Sequence, residues 1–202
     1  MASGEWRVAS KTRAVYFDAV GTLIHPEPAV AVIYAEAARR FGSRYEADEI
    51  LKRFRVAFAA QEVIDSAARW VTDESRELRR WREIVGDVLD DVADPADCFE
   101  FLYGHFAKPQ AWRCDDEAAT LFESLSARGY RLGLASNYDH RLHVLMRGIE
   151  ALQRLTHVAI SSEVGFRKPA AEFFRYMCRQ MGLDAAQIMY VGDDPINDYA
   201  GA

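Results

Sequence analysis

Little in this sequence could hold a fold together from outside its own core. Among 202 residues there are three cysteines, at 98, 114 and 178, and no CxxC pair. An odd count without paired spacing argues against a disulfide framework or a thiolate zinc site and fits a reducing compartment, so a cytoplasmic location is expected. No apolar run approaches the ~18 residues needed to cross a bilayer. Residues 1–13 lack the apolar centre of a secretory signal. Positive charge is also short: 25 Lys and Arg face 31 Asp and Glu, for a net charge of −6. Without a basic stripe, neither nucleic acid nor a membrane is an expected partner.

Apolar residues are plentiful, at 50% of the chain, enough for a sizeable core. Four short runs rich in β-branched and aromatic residues, at 14–20, 131–137, 157–162 and 188–193, read as buried parallel strands. Helical periodicity at 116–128, stopped by Gly129, and at 169–181, stopped by Gly182, separates the last three. Strand–helix alternation of this kind makes a parallel α/β sheet with helices on both faces. Between the first and second runs the pattern is helical throughout, at 28–41, 46–65, 73–92 and from Asp94-Pro95 to about 107. An all-helical insertion over 25–109 is therefore expected, with the core made of 1–24 and 110–202. The hinges are expected at 24–28 and 108–112.

Ligands of parallel sheets bind beyond the carboxyl ends of the strands. The first run ends in Asp18 with Gly21-Thr22 beyond it, and the second in Ser136-Asn137. The third leads to Lys168, and the fourth ends in Asp193-Asp194, with Asn197-Asp198 following. These segments, FDAVGTL, LASN, FRKP and VGDDPIND in that order, resemble the four motifs of the haloacid dehalogenase superfamily of hydrolases, over residues 14–202. The insertion lies where that family places a helical cap.

The resemblance implies a Rossmann-like core and Asp18 as a nucleophile that forms an aspartyl-phosphate. It implies Mg²⁺ held by Asp18, the backbone carbonyl of Val20 and Asp193, with Asp194 as a further ligand or an outer partner and Asp198 farther out. Ser136 and Asn137 would bind the phosphoryl group, Lys168 would neutralise it and keep Asp18 ionised, and Thr22 would buttress the loop. The first and fourth strands should be neighbours. The implied partner is a small phosphorylated metabolite.

One position departs from the family. Phosphatases of this kind carry a second Asp two residues after the nucleophile, as general acid and base, and here that residue is Val20. Such help is typically worth about 10²–10⁴-fold. Four readings stay open: a phosphohydrolase that is slow, restricted to good leaving groups or borrowing an acid from the inserted helices or the substrate, a 2-haloacid dehalogenase, a phosphonatase using Lys52, or a catalytically impaired binding protein. The five histidines follow no motif, and His25 lies nearest the active-site loop. The family pattern continues with a helix and a strand beyond Ala202. On the sequence as it stands the fourth strand is expected at a sheet edge, where self-association would follow unless residues 1–13 cover it.

Overall fold

A computed structural model describes residues 12–202. Four parallel strands, β1 (Ala14–Phe17), β4 (Arg131–Ser136), β5 (His157–Ile160) and β6 (Ile188–Val191), form a sheet in the order β5-β4-β1-β6. In β1, Val15 and Phe17 point into one apolar cluster with Phe122 and Leu134, while Ala14 and Tyr16 point into another with Phe173 and Met177. Period-two alternation of this kind with both faces apolar is what a sheet sandwiched by helices requires. The first cluster is closed by α5 (Ala118–Ala127) and α6 (Arg141–Gly148), the second by α8 (Ala171–Met181). Gly133 is needed in β4 because a Cβ there would collide with the Tyr16 ring.

Helices α1 (Val30–Phe41), α2 (Ala47–Ala67), α3 (Glu74–Val88) and α4 (Pro95–His105) fill the gap between β1 and β4 and share an apolar cluster of their own, including Ile33, Tyr34, Ile84 and Phe99. Asp73 and Asp94 cap α3 and α4 by accepting from the backbone N–H three residues on.

The structure differs from the expectation at three places. The segments expected as hinges pair as a two-stranded antiparallel ribbon, β2 (Ile24–Pro26) with β3 (Trp112–Cys114). The run expected as a strand to 162 ends at Ile160, and α7 (Ser161–Val164) turns at its end. The helix α6 was not foreseen.

The helices also touch the core away from the ribbon. Between α2 and α3 the chain bonds to the core loop 165–167: Thr72 N donates to the Gly165 carbonyl (3.1 Å) and Arg167 N to the Trp70 carbonyl (2.8 Å). Arg69 and Trp70 reach this position with φ of 55° and 62°. Nearby, Glu74 of α3 accepts from His140 N (3.0 Å), the His140 ring (2.7 Å) and Ser162 Oγ (2.5 Å). Strand β6 is one edge of the four-stranded sheet, and Arg13 N donates to the Gln187 carbonyl at its start. Whether residues 1–11 add to that edge lies outside the described residues. Among the described residues no helix is long and apolar enough to cross a membrane.

Candidate active site

The strand order sets β1 beside β6, as the sequence led us to expect, and the ladder continues one residue further through Asp18 N to the Val191 carbonyl (2.8 Å). Asp18 therefore emerges next to the turn that follows β6. Beyond it the chain folds tightly, with Leu23 N and Ile24 N both donating to the Ala19 carbonyl. Gly21 has φ of 91°, and a Cβ there would come within 2.5 Å of Asp193 Oδ2. Gly192 is equally constrained, since a Cβ would overlap the Asp198 carboxylate. Each glycine clears the space a carboxylate occupies.

Carboxylate oxygens of Asp18, Asp193 and Asp198 lie within 4.8 Å of one another. Lys168 Nζ sits among them, donating to Asp18 Oδ1 (2.7 Å), Asp198 Oδ1 (2.6 Å) and the Tyr190 hydroxyl (2.8 Å). Tyr190 in turn donates to the Ala135 carbonyl (2.7 Å). Asn137 fixes Lys168 from both sides, accepting from Lys168 N (2.7 Å) and donating to its carbonyl (3.0 Å). Burial pushes the Asp18 carboxyl up, while the Lys168 ammonium and a hydrogen bond from Ser136 pull it back. Burial also raises the Tyr190 phenol far above its ordinary value, so it stays neutral. Thr22 Oγ1 donates to Asp193 Oδ1 (3.3 Å), tying the two loops together.

Asp18, Val20, Ser136, Asn137, Lys168, Asp193, Asp194 and Asp198 line one cavity of about 340 Å³. Asp194 is turned away from the acidic trio: Oδ1 accepts from Ile196 N (2.8 Å) and Asn197 N (2.9 Å), and Oδ2 from the Asn197 side chain (3.0 Å). It caps the π-helical turn Pro195–Ala200. Asp198, which the sequence put farther out, takes its place in the trio because Asp194 N also donates to Asp198 Oδ2 and draws that carboxylate inward. Sequence reasoning missed Tyr190, which read only as strand packing, and the aromatic side chains of α1–α4 on the far wall, which follow no motif. Lys52 is exposed on α2 and lies outside the cavity wall. His25 pairs with Asp115 (3.2 Å) beside the ribbon.

A family model for haloacid dehalogenase-like hydrolases matches residues 12–202. The chain belongs to this family. Human haloacid dehalogenase-like hydrolase domain-containing protein 3 is 27% identical over 195 residues, 94% of this chain and 77% of that protein. The same fold occurs in the HAD-hydrolase YfnB of Bacillus subtilis, a structure bound to magnesium (TM-score 0.72, 18% identity, 94% of this chain and 83% of the other). It occurs also in L-2-haloacid dehalogenase of Xanthobacter autotrophicus (TM-score 0.67, 16% identity, 92% and 71%). In this hydrolase the trio and Lys168 suit a hard cation and an anion side by side. The ligand atoms the trio offers are all oxygen, which matches Mg²⁺, and Lys168 is a buried ammonium beside them.

Proposed function

We propose that this chain is a Mg²⁺-dependent phosphohydrolase acting on a small phosphorylated compound through an aspartyl-phosphate. The observation that carries the reading is the oxygen trio of Asp18, Asp193 and Asp198 gathered around Lys168. Breaking a carbon–halogen bond needs no such trio. Asp18, Asp193, Asp198 and the backbone carbonyl of Val20 are the groups that would hold Mg²⁺. When bound, the ion would neutralise phosphoryl charge as the bond changes develop.

The chain's own residues do the rest. Lys168 holds one Asp18 oxygen and leaves the other as nucleophile. That oxygen bonds to phosphorus as the ester P–O bond breaks, and the electron pair departs on the leaving oxygen. Ser136 donates to a phosphoryl oxygen, and Lys168, its three N–H bonds held by Asp18, Asp198 and Tyr190, neutralises the group by its charge. Water then attacks phosphorus, the bond to Asp18 breaks, and inorganic phosphate is released. Val20 offers no proton at either step, so the leaving oxygen takes one from water.

The test is hydrolysis of 4-nitrophenyl phosphate with and without Mg²⁺, with chloride release from 2-chloropropionate followed in parallel. Phosphate release that needs Mg²⁺ and disappears in Asp18→Asn is expected. Val20 favours one competing reading, the dehalogenase, because halide leaves without a proton. Chloride release without metal, in place of phosphate release, would establish that reading instead.

A further inference from the structure

The cavity has two chemically different ends. One is the site above, with Asp18, Ser136, Lys168 and Asp193. The other is built by the inserted helices: Tyr34 of α1, Phe54 and Phe58 of α2, Trp81 of α3, and Phe99 and Tyr103 of α4. Charged residues occur at that end, and each is matched within the protein. Arg80 donates to Asp65 (2.9 Å) and to Glu62. Arg167 donates to Glu77 (2.5 Å) and lies 3.5 Å from both Asp65 and Glu62. Arg76 completes the group by donating to Asp65 (2.7 Å). Three guanidiniums thus face three carboxylates. Arg141 is held by both oxygens of Asp139 (2.8 and 2.7 Å).

Among the described residues a second anionic group on a substrate would meet no cation there without a carboxylate already beside it, and burying a charge without a partner is costly. A cation fares no better. The carboxylates that could attract it already face guanidiniums, and three of the six rings carry the protein's own arginines: Arg80 over Phe58 (4.6 Å), Arg141 over Tyr103 (3.6 Å) and Arg82 over Phe99 (4.8 Å). An uncharged flat apolar group has no such conflict. An apolar cavity of about 150 Å³ already accepts benzene, so 340 Å³ holds one or two fused rings besides the phosphoryl group.

Val20, at the Asp18 end of the cavity, supports the same reading. With no acid at position 20, the site favours leaving groups that depart without a proton, and a phenol (pKa about 10) does so far more readily than an alkanol.

We propose that the substrate is an aryl phosphate whose aryl group carries no charge, its ring seated among Phe54, Phe58 and Trp81. This rests on the phosphohydrolase reading. The test compares, with Mg²⁺, kcat/KM for 2-naphthyl phosphate, 4-carboxyphenyl phosphate (a leaving group of comparable acidity), phosphocholine and glycerol phosphate. Calorimetry with 2-naphthol alone measures the ring site without any chemistry. We expect 2-naphthyl phosphate to exceed each of the others at least tenfold and Phe54→Ala to weaken 2-naphthol binding at least fivefold. Val30→Lys, a cation placed on the apolar wall, should narrow the gap to the carboxylated ester. Equal or reversed preference, preference for phosphocholine, or no binding of 2-naphthol would overturn the proposal. If no ester is hydrolysed but 2-naphthol binds and Phe54→Ala weakens it, the phosphohydrolase reading fails and the aromatic site stands.

Discussion

Val20 lies two residues past Asp18 on the cavity wall and brings no proton to it. Supplying a carboxyl there should help most where the leaving oxygen is most basic. Val20→Asp is expected to raise kcat/KM for alkyl phosphates by at least about 10²-fold and for nitrophenyl phosphate by much less. An equal gain on both would show that proton supply is not what Val20 withholds. Asp194 gives a second residue-scale test. Partial burial works against its charge, yet the N–H groups of Asn197 and Ile196 hold its carboxyl below the usual carboxylate range. A carboxyl with a depressed folded pKa contributes stability above its unfolded pKa and loses it as pH falls through the folded value. Asp194→Ala, measured by urea unfolding without Mg²⁺, should cost about 1 kcal/mol at pH 7, the usual worth of such a cap. The gap between the two proteins should begin to close as pH falls below about 3.8. A gap that persists in acid would mean that Asp194 acts through packing and not through its charge.

Most elements that repeat a period were legible in advance; some short ones, the eight-residue α6 among them, were not. β1 and β4 announce themselves by apolar runs that end in Asp18 and Ser136, and α1 by Ile33, Tyr34 and Ala37 at helical spacing. The ribbon was hidden because IHP and WRC are three residues each and meet only in space. Asp18, Ser136, Lys168 and Asp193 could be named because strand ends are where such sheets bind ligands. The exchange between Asp194 and Asp198 could not, because it depends on which carboxylate the π-helical turn captures. The link between α2 and α3 was equally silent, since Arg69 and Trp70 carry no sign of their positive φ. Side chains there cost roughly 1–2 kcal/mol per residue, which glycine avoids. Arg69 is exposed, so Arg69→Gly should leave the thermal midpoint unchanged or raise it. Ala68→Gly, next to it, should lower it. A drop in both would assign Arg69 a contact worth more than its strain.

At the scale of the whole molecule, a cation that binds only the folded chain must stabilise it. At a Mg²⁺ concentration a hundredfold above its Kd the gain is about 2.7 kcal/mol. For a chain of this length that raises Tm by roughly 5–10 °C. Asp193 is exposed and can be removed without disturbing the core, so Asp193→Ala should fold normally and lose most of that rise. The same rise in both proteins would place the ion elsewhere.

The four inserted helices are joined to the core at several places: the ribbon of β2 with β3, the backbone bonds between 70–72 and 165–167, the bonds of Glu74 to His140 and Ser162, and the bond from Arg141 to the Tyr103 carbonyl. A rigid body pinned at one point can turn about three axes. Pinned at two, it keeps only the line through both pins. Pinned at more places, as here, it keeps none while the bonds hold, so the aromatic wall can leave its position over Asp18 only when the contacts at Glu74 or Arg141 are released. One of these junctions ends at Arg167, directly before Lys168, so the contact that seats the helices lies beside the group that holds Asp18 in place.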